Sequence, residues 1–201
     1  PVCGGVSVTD RDTIAVYDAR ARDYAKLEPS NTPSDTLAAF IAALPHGARV
    51  LDLGCGPGTS ARHMVQAGCV VDAVDASVEM IRLASEIDGV TARVATFDDI
   101  SGRAVYDGVW ANFSLLHAAR GDMPRHLVAI HASLRPGGLF HIAVKEGTGA
   151  HRDSINRMYT YYTEAELTAL LAEAGFAAGD TRRGRDKGLS GEDADWISVT
   201  A

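Results

Sequence analysis

Residues 50–58 constrain the fold more than any other part of this chain. They read Val-Leu-Asp-Leu-Gly-Cys-Gly-Pro-Gly, a short apolar strand that runs into three glycines at alternate positions, Gly54, Gly56 and Gly58. A helix-compatible segment follows and ends at Gly68. Glycine permits a sharp turn at positive φ and a close approach of the backbone to a ligand. A strand, a glycine loop and a helix in this order predict a nucleotide-type site at the carboxyl end of a parallel strand.

The spacing of the glycines distinguishes between ligands. The dinucleotide fingerprint is G-x-G-x-x-G, whereas this loop reads G-x-G-x-G and has Thr59 where the third glycine of the fingerprint would stand. Asp52, two residues before the loop, would repel a pyrophosphate but could pair with a cationic amine. The pattern favours a ligand with an amino group and an adenosine but no phosphate. S-adenosylmethionine fits that description.

Four segments of the chain resemble those of class I S-adenosylmethionine-dependent methyltransferases, in particular the single-domain enzymes that act on small molecules. These segments are residues 50–58, 74–77 with Met80, 106–110 and 134–139. The resemblance covers nearly the whole chain and is specific for the cofactor, but it says almost nothing about the methyl acceptor. It implies an α/β fold with a Rossmann-like, doubly wound sheet of seven strands. That sheet is mostly parallel, with one antiparallel strand near the C-terminus and helices on both faces.

Length and charge restrict the class of protein further. A chain of 201 residues is long enough for one domain with a sizeable core, so we expect residues 1–201 to form a single methyltransferase domain. Within it we expect disorder over residues 1–8, an N-terminal helical lid over about 9–45 and the Rossmann-like core over about 48–201. The net charge of −7 disfavours nucleic acid as a partner, because proteins that bind phosphate backbones usually carry a basic surface.

Cysteine usage and hydropathy bear on the compartment. The three cysteines, Cys3, Cys55 and Cys69, lack the spacing of a disulfide framework, which predicts free thiols in a reducing cytoplasm. No apolar run reaches membrane-spanning length, and we expect no signal peptide ahead of the first helix. The expected protein is therefore cytoplasmic, has no membrane partner and is a monomer or a homodimer.

Apolar periodicity predicts alternating strands and helices after two N-terminal helices. The first helix covers about residues 10–25, and the second begins with Thr32 as its cap and Pro33 at the first helical position. Thr163 and Glu166 form a capping box for the last helix. The loop after it, residues 183–195, is too polar for a crossover helix, so the two strands that flank it should pair antiparallel. Strands are predicted at residues 49–53, 70–75, 91–96, 106–112, 139–144, 176–182 and 196–200, with helices from about 59, 77 and 122.

Several positions near the ends of these strands are candidate cofactor ligands. Asp75 ends the second strand, where an acidic residue reaches ribose hydroxyls, although a surface turn also favours aspartate. Met80 could cover the adenine with its thioether or could be plain core. The resemblance implies that Phe97 and Asp98 lie beside the adenine. It also implies that Tyr17 and Tyr24 could bond the methionine carboxylate, although both could instead be aromatic residues of the core or of an interface. The predicted cofactor-binding residues are Tyr17, Tyr24, Asp52, Gly54, Cys55, Gly56, Gly58, Thr59, Asp75, Ala76, Met80, Phe97, Asp98 and Asn112. No cluster with metal-ligand spacing accompanies them, so no metal is predicted.

The acceptor site is predicted from two segments. Asn112 and Phe113 end the fourth strand, and the absence of the following prolines disfavours methylation of DNA adenine or glutamine. His117 could take a proton from the acceptor, or it could be a loop histidine bonded to backbone. Residues 145–162 carry several cations and phenols, and long polar loops of this kind are often functional.

The arginines of that segment leave two alternatives open. Arg152 or Arg157 could bind an anionic group of the acceptor, or both could pair with Glu146 and Asp153 to hold the loop closed. The predicted substrate-binding residues are Asn112, Phe113, Arg152, Arg157 and Tyr161, and the predicted catalytic residues are His117 and Tyr159.

These observations predict methyl transfer from S-adenosylmethionine to a small-molecule acceptor by in-line displacement, with S-adenosylhomocysteine as product. Alignment of the reacting groups, rather than covalent catalysis, would supply the rate. A nicotinamide-dependent oxidoreductase is an alternative that Asp52 and the missing third glycine oppose. The other alternative is a catalytically silent module that binds S-adenosylmethionine and regulates a partner.

Overall fold

The computed structural model describes residues 10–27, 31–177 and 179–201 of the chain. The disorder predicted for residues 1–8 and the thiol of Cys3 lie outside the described residues. The helices are α1 (Arg11–Leu27), α2 (Asp35–Ala43), α3 (Thr59–Gln66), α4 (Val78–Ala84), α5 (Met123–Ser133) and α6 (Glu164–Glu173). The strands are β1 (Arg49–Leu53), β2 (Val70–Asp75), β3 (Val90–Val94), β4 (Tyr106–Asn112), β5 (Leu134–Lys145), β6 (Ala150–Arg152), β7 (Met158–Thr160), β8 (Asp180–Lys187) and β9 (Asp193–Thr200).

Seven of the described strands form one sheet in the order β3-β2-β1-β4-β5-β9-β8. The first five are parallel neighbours, and β1 lies between β2 and β4. Strand β9 inserts antiparallel between β5 and β8, so it alone among these seven runs against the others. The predicted seven-stranded, mostly parallel sheet with one antiparallel strand near the C-terminus is confirmed.

Helices cover both faces of this sheet, as predicted for a doubly wound fold. On one face, Leu51 and Leu53 of β1 pack in a cluster with residues of α5 and α6. On the other face, Val50 packs with Phe40 of α2 and with residues of α3 and α4. Because both faces are covered, β1 is buried from Val50 to Leu53. Burial of each aliphatic side chain there stabilises the folded state by about 1.5–3 kcal/mol.

Two boundaries near the C-terminus differ from the prediction. Strand β8 covers Asp180–Lys187 rather than residues 176–182, and β9 begins at Asp193 rather than Trp196. The polar segment predicted as a loop is therefore largely a hairpin of paired strands. Strand β8 is an edge strand, and charged side chains are typical there because they discourage pairing with other chains. Because its side chains are mostly charged, β8 lacks the alternation of apolar and polar residues from which a strand is predicted.

The start of α2 also differs from the prediction. Ser34, rather than Thr32, caps the helix, since its Oγ accepts a hydrogen bond from the Leu37 amide at 3.3 Å. Pro33 therefore precedes the cap instead of occupying the first helical position. At α6 the predicted capping box is confirmed: Thr163 and Glu166 each bond the backbone amide of the other.

Residues 145–162 contain more regular structure than the predicted long loop. Strands β6 and β7 pair antiparallel, with His151 opposite Tyr159, and form a hairpin whose turn contains Asp153 and Asn156. Asn156 adopts a φ of 70°, a conformation that asparagine tolerates better than most residues. The hairpin matters for the site because it lies against α1.

No helix among the described residues combines the length and the apolar character that crossing a membrane demands.

Candidate functional site

A cleft of about 780 Å³, counted out to its open mouth, lies at the carboxyl edge of the sheet. Its floor is formed by the glycine loop after β1 and by the end of β2. Residues 95–97, 112–114 and 117 form its walls, and one face of α1 forms its roof. This is the edge at which doubly wound folds bind ligands.

The glycine loop leaves backbone exposed to the cleft. Gly54, Gly56 and Gly58 have φ values of 73°, 55° and 84°, a region that residues with a side chain rarely adopt. A Cβ atom on Gly54 would lie 2.2 Å from Cβ of Ser114, so no side chain fits there. The amides of Gly54 and Cys55 both donate to the Val74 carbonyl, at 2.8 and 2.9 Å, which folds the loop over the end of β2.

Asp75 fixes the loop from the next strand. Its Oδ2 accepts a hydrogen bond from the Gly56 amide at 3.0 Å, and its Oδ1 accepts one from the Ser77 amide at 2.9 Å. Burial raises the pKa of this carboxyl, while the two amide bonds act in the opposite direction. Each carboxylate oxygen keeps a further acceptor site, and the side chain lines the cleft.

Helix α1 is held over the cleft from two sides. On one side, Oδ1 of Asp18 accepts hydrogen bonds from the Ser77 hydroxyl at 2.6 Å and from the Glu79 amide at 3.2 Å. On the other side, Arg152 of the hairpin donates to Asp10 at 3.0 Å, and the Met158 amide donates to the Thr13 hydroxyl at 2.8 Å. The roof of the cleft is therefore tied to both α4 and the β6–β7 hairpin.

His117 and Tyr17 form a polar pair in the wall of the cleft. Nδ1 of His117 lies 2.6 Å from the Met158 carbonyl oxygen, and Nε2 lies 2.8 Å from the Tyr17 hydroxyl. A carbonyl can only accept, so these partners assign the proton of the neutral imidazole to Nδ1 and leave Nε2 to accept from Tyr17. Burial lowers the pKa of His117 to about 4, and the charges of Arg157 and Lys145 also lower it.

Behind this pair lies an ion pair that is closed to solvent. The guanidinium of Arg157 donates to Oδ2 of Asp153 from Nη2 at 2.7 Å and from Nε at 3.0 Å, and the two side chains are 2% and 3% exposed. Nη1 of Arg157 donates to the Tyr17 hydroxyl oxygen at 3.0 Å. Because Tyr17 accepts from Arg157, its own proton points toward His117. Burial raises the pKa of Tyr17, so the phenol stays protonated.

Two further side chains complete this side of the site. The ring of Tyr159 packs 4.7 Å from the ring of His117, and the residue is 4% exposed. The ammonium of Lys145 lies 3.8 Å from the centroid of the Tyr159 ring. Burial raises the pKa of Tyr159 and lowers that of Lys145.

Asn112 is held by a histidine that sequence reasoning did not single out. Nε2 of His141 lies 3.4 Å from Oδ1 of Asn112, and Nδ1 lies 3.0 Å from the Thr200 hydroxyl. The imidazole stacks on Trp110 with ring centroids 3.8 Å apart, and burial lowers its pKa to about 3. No motif surrounds His141, and a histidine inside an apolar strand carries no signal that distinguishes this role.

The structure brings most of the predicted cofactor residues to the cleft. Those that line it are Tyr17, Tyr24, Gly54, Gly56, Asp75, Ala76, Met80, Phe97 and Asn112. Asp52, Cys55, Gly58, Thr59 and Asp98 do not line it. Asp52 is 2% exposed within β1, and Asp98 forms an ion pair with Arg125 at 2.7 Å. Burial raises the pKa of the Cys55 thiol well above its ordinary value, which makes it a poor nucleophile. The cofactor roles themselves stay predictions.

The predicted acceptor residues divide in the same way. Asn112, Phe113 and His117 line the cleft, whereas Arg152, Arg157, Tyr159 and Tyr161 do not. Tyr161 instead stacks on His151 with ring centroids 4.4 Å apart. Sequence reasoning did not assign Asp10, Thr13, Ser77, Thr96 and Ser114 to the site, although they line the cleft. Asp10 and Thr13 are spaced for one helical face with Tyr17, and that spacing could have indicated them.

Comparison with known proteins points to one family. The model of a family described as a methyltransferase domain matches residues 22–178. A malonyl-(acyl-carrier protein) O-methyltransferase from Pseudescherichia vulneris is 36% identical over 136 residues, which cover 65% of this chain and 52% of that protein. A ubiquinone biosynthesis O-methyltransferase from Methylocella silvestris is 33% identical over 108 residues, which cover 51% of this chain and 41% of that protein. The chain thus spans about half the length of the curated relatives it matches.

A solved structure extends the likeness over the whole chain. It is the 1,6-didemethyltoxoflavin-N1-methyltransferase of Burkholderia thailandensis with bound 1,6-didemethyltoxoflavin and S-adenosylhomocysteine. It is 26% identical, with a TM-score of 0.70, and the match covers 100% of this chain and 93% of that one.

Proposed function

The chain belongs to the class I S-adenosylmethionine-dependent methyltransferases, and from this membership we propose that it transfers a methyl group from S-adenosylmethionine to a small-molecule acceptor by in-line displacement. The observation that carries the proposal is the cleft itself. A glycine loop at positive φ, with no room for a side chain at Gly54, and the carboxylate of Asp75 meet there. Neither the oxidoreductase nor the silent binding module gains support from the relatives.

The residues present fit the cofactor. Asp75 would hold the ribose hydroxyls, Met80 and Phe97 would flank the adenine, and Gly54 and Asn112 would lie along the methionine portion, since all of them line the cleft. Bound there, the sulfonium supplies an electrophilic methyl group and leaves as a neutral thioether. Helix α1 covers the cleft and is the lid in this proposal, whereas α2 packs its Phe40 on Trp110 in the core.

His117 is proposed as the group that receives the proton of a protic acceptor. Its Nε2 has no hydrogen of its own, because Nδ1 carries the proton toward the Met158 carbonyl. The proton reaches Nε2 through the Tyr17 phenol: Tyr17 gives its proton to His117 and takes one from the acceptor oxygen. Tyr159 packs on His117 and positions the ring without lining the cleft.

Calorimetric titration with S-adenosylhomocysteine tests the cofactor assignment, and NAD is titrated in parallel. We expect S-adenosylhomocysteine to bind and Asp75→Ala to weaken it by about 1–3 kcal/mol, the cost of losing hydrogen bonds to a charged group. Asp88→Ala, which removes an exposed carboxylate away from the cleft, is the matched control and should leave the affinity unchanged. Binding of NAD instead of S-adenosylhomocysteine would refute the proposal.

Turnover is tested with a labelled methyl donor and a set of candidate small-molecule acceptors. Incorporation of label that depends on the acceptor supports the enzyme. Tight binding of S-adenosylhomocysteine without transfer to any acceptor would favour the silent module instead.

A further inference from the structure

Lys145 ends β5 beside the wall of the cleft. Two residues earlier on the same strand, Ala143 pairs with Asn112, and its carbonyl accepts the Phe113 amide at 3.0 Å. Asn112 and Phe113 both line the cleft. Side chains alternate along a strand, so Lys145 projects on the same face of the sheet as Ala143, one step farther toward the carboxyl edge.

The positive charge of Lys145 has no carboxylate in contact with it in the part of the chain that the structure describes. Its ammonium is half-buried and lies over two rings, 3.8 Å from the centroid of Tyr159 and 5.9 Å from that of Tyr161. The two arginines of segment 145–162 differ in this respect, because Arg152 pairs with Asp10 and Arg157 pairs with Asp153.

Asp153, a carboxylate whose charge acts on Lys145, already has other partners. Besides the guanidinium of Arg157, Asp153 accepts the backbone amides of Arg157 at 2.8 Å and of Ile155 at 3.2 Å. Arg157 therefore neutralises Asp153, and the only other carboxylate that acts on Lys145 among the described residues is Glu192, which is exposed and forms no ion pair with it. Keeping the charge of Lys145 half-buried is unfavourable unless an anion joins it, and the lowered pKa of Lys145 agrees with that cost.

Lys145 does not itself line the cleft, but one ring joins it to His117, which does. A single ring, that of Tyr159, packs against both the Lys145 ammonium and the His117 imidazole. Phe113 lines the cleft, and its ring meets Trp196, the β9 partner of Lys145, edge-on at 6.1 Å. Phe113 has a φ of 55°, a strained conformation for a residue with a side chain, and such strain is typical of functional sites.

We propose that Lys145 binds a carboxylate of the methyl acceptor, which makes the substrate a small organic acid whose nucleophile reaches the cleft while its carboxylate stays at the end of β5. Sequence reasoning looked for this subsite at Arg152 and Arg157, but those side chains have carboxylate partners within the chain. The inference rests on the proposed methyltransferase function, since it names the class of acceptor for that same cleft.

The test measures binding rather than turnover. Protein saturated with S-adenosylhomocysteine is titrated with two carboxylates and their neutral amides, 4-hydroxybenzoate with 4-hydroxybenzamide and glutarate with glutaramide, by calorimetry and by NMR shifts. We expect at least one carboxylate to bind more tightly than its amide. Lys145→Met should weaken that binding by about tenfold or more, because a charge-assisted hydrogen bond is lost. Lys145→Arg should retain most of it.

Controls separate this inference from the underlying function. Arg93→Met removes an exposed cation from β3, near the other edge of the sheet, and should leave carboxylate binding unchanged. Each variant is also titrated with S-adenosylhomocysteine alone. Failure of the wild type to bind S-adenosylhomocysteine overturns the proposed function. Two results, each with normal cofactor binding, would overturn only the carboxylate subsite. One is that the wild type prefers no carboxylate over its amide. The other is that Lys145→Met leaves such a preference intact, as expected if Lys145 served as a base.

Discussion

At the scale of single residues, His117 makes the backbone bond that one of its two expected roles required, and its role as a proton acceptor stays a proposal. His117 was expected either to accept a proton or to be a loop histidine bonded to backbone. In the structure its two ring nitrogens differ: Nδ1 bonds the Met158 carbonyl and Nε2 bonds Tyr17. The backbone bond is what leaves Nε2 free of a proton. Which neighbour would fix the ring could not be predicted, because Met158 lies 41 residues away in sequence.

The protonation of His117 is the first prediction at this scale. With a pKa of about 4, far below the ordinary 6.5, the ring should remain neutral from about pH 8 down to about pH 5. NMR titration of the histidine ring signals, assigned with His117→Asn, measures this directly, and the nitrogen shifts report the tautomer. A midpoint near the ordinary value, or a proton on Nε2, would contradict the assigned geometry.

The arginines of the hairpin give a second prediction, because they differ in burial. Arg157→Met should lower the free energy of unfolding by about 3–5 kcal/mol, since it leaves the Asp153 carboxylate buried without its partner. Arg152→Met removes a partner of Asp10 in a pair whose side chains are 33% and 20% exposed, and should cost about 0–1 kcal/mol. Urea unfolding of both variants makes the comparison. Equal losses would show that the buried pair is not the stabilising one.

At the scale of elements, the sequence predicted most features that depend on local pattern, although it placed the cap of α2 at Thr32 instead of Ser34. The glycine loop, the parallel core strands and the capping box of α6 are encoded within a few residues of themselves, and all are present. The bounds of strand β8 were misplaced because its side chains are mostly charged, although its partner β9 follows directly in the chain. The β6–β7 hairpin was missed because α1, which is distant in sequence, holds it in place. The same holds for the acceptor side of the cleft, where α1 meets residues more than a hundred positions away.

The glycine loop gives a prediction at this scale. Gly54→Ala places a Cβ 2.2 Å from Cβ of Ser114 in a residue whose φ is 73°, so it combines a steric clash with backbone strain. Gly47→Ala is the matched control, since its φ is 71° and nothing lies within 4 Å of the added atom. We expect about 1–2 kcal/mol of destabilisation for Gly47→Ala, about 1–3 kcal/mol more for Gly54→Ala, and loss of cofactor binding only for the latter.

Thermal unfolding and calorimetry with S-adenosylhomocysteine measure the two effects separately. If both alanine variants bound S-adenosylhomocysteine as well as the wild type, the close approach at Gly54 would have no part in the cofactor site.

At the scale of the whole molecule, two buried histidines make the folded protein less stable in acid. His117 and His141 are held neutral, with pKa values lowered to about 4 and about 3 by burial. The unfolded chain takes up protons at these histidines near the ordinary value of about 6.5, while the folded chain does not. The free energy of unfolding that comes from keeping both rings neutral is therefore fully present above that pH. It is lost as the pH falls toward the pKa values that the two histidines have in the folded protein.

Denaturant unfolding across this range provides the measurement. Each histidine should contribute a slope of up to about 1.4 kcal/mol per pH unit between about pH 6 and about pH 4.5, on top of the titration of the carboxylates. His117→Asn should reduce this slope by nearly the amount that the uptake of one proton contributes. An unchanged slope in that variant would mean that His117 is already protonated in the folded protein.

The two-sided attachment of α1 has a consequence for the timing of catalysis. Any movement of the roof away from the cleft has to break its contacts with α4 through Asp18 and with the hairpin through Asp10 and Thr13. Among these contacts the Asp10–Arg152 ion pair is the most exposed to solvent, so dissolved salt weakens it first. We therefore expect dissolved salt to shorten the residence time of the spent cofactor in the cleft and to leave the speed of methyl transfer largely unchanged.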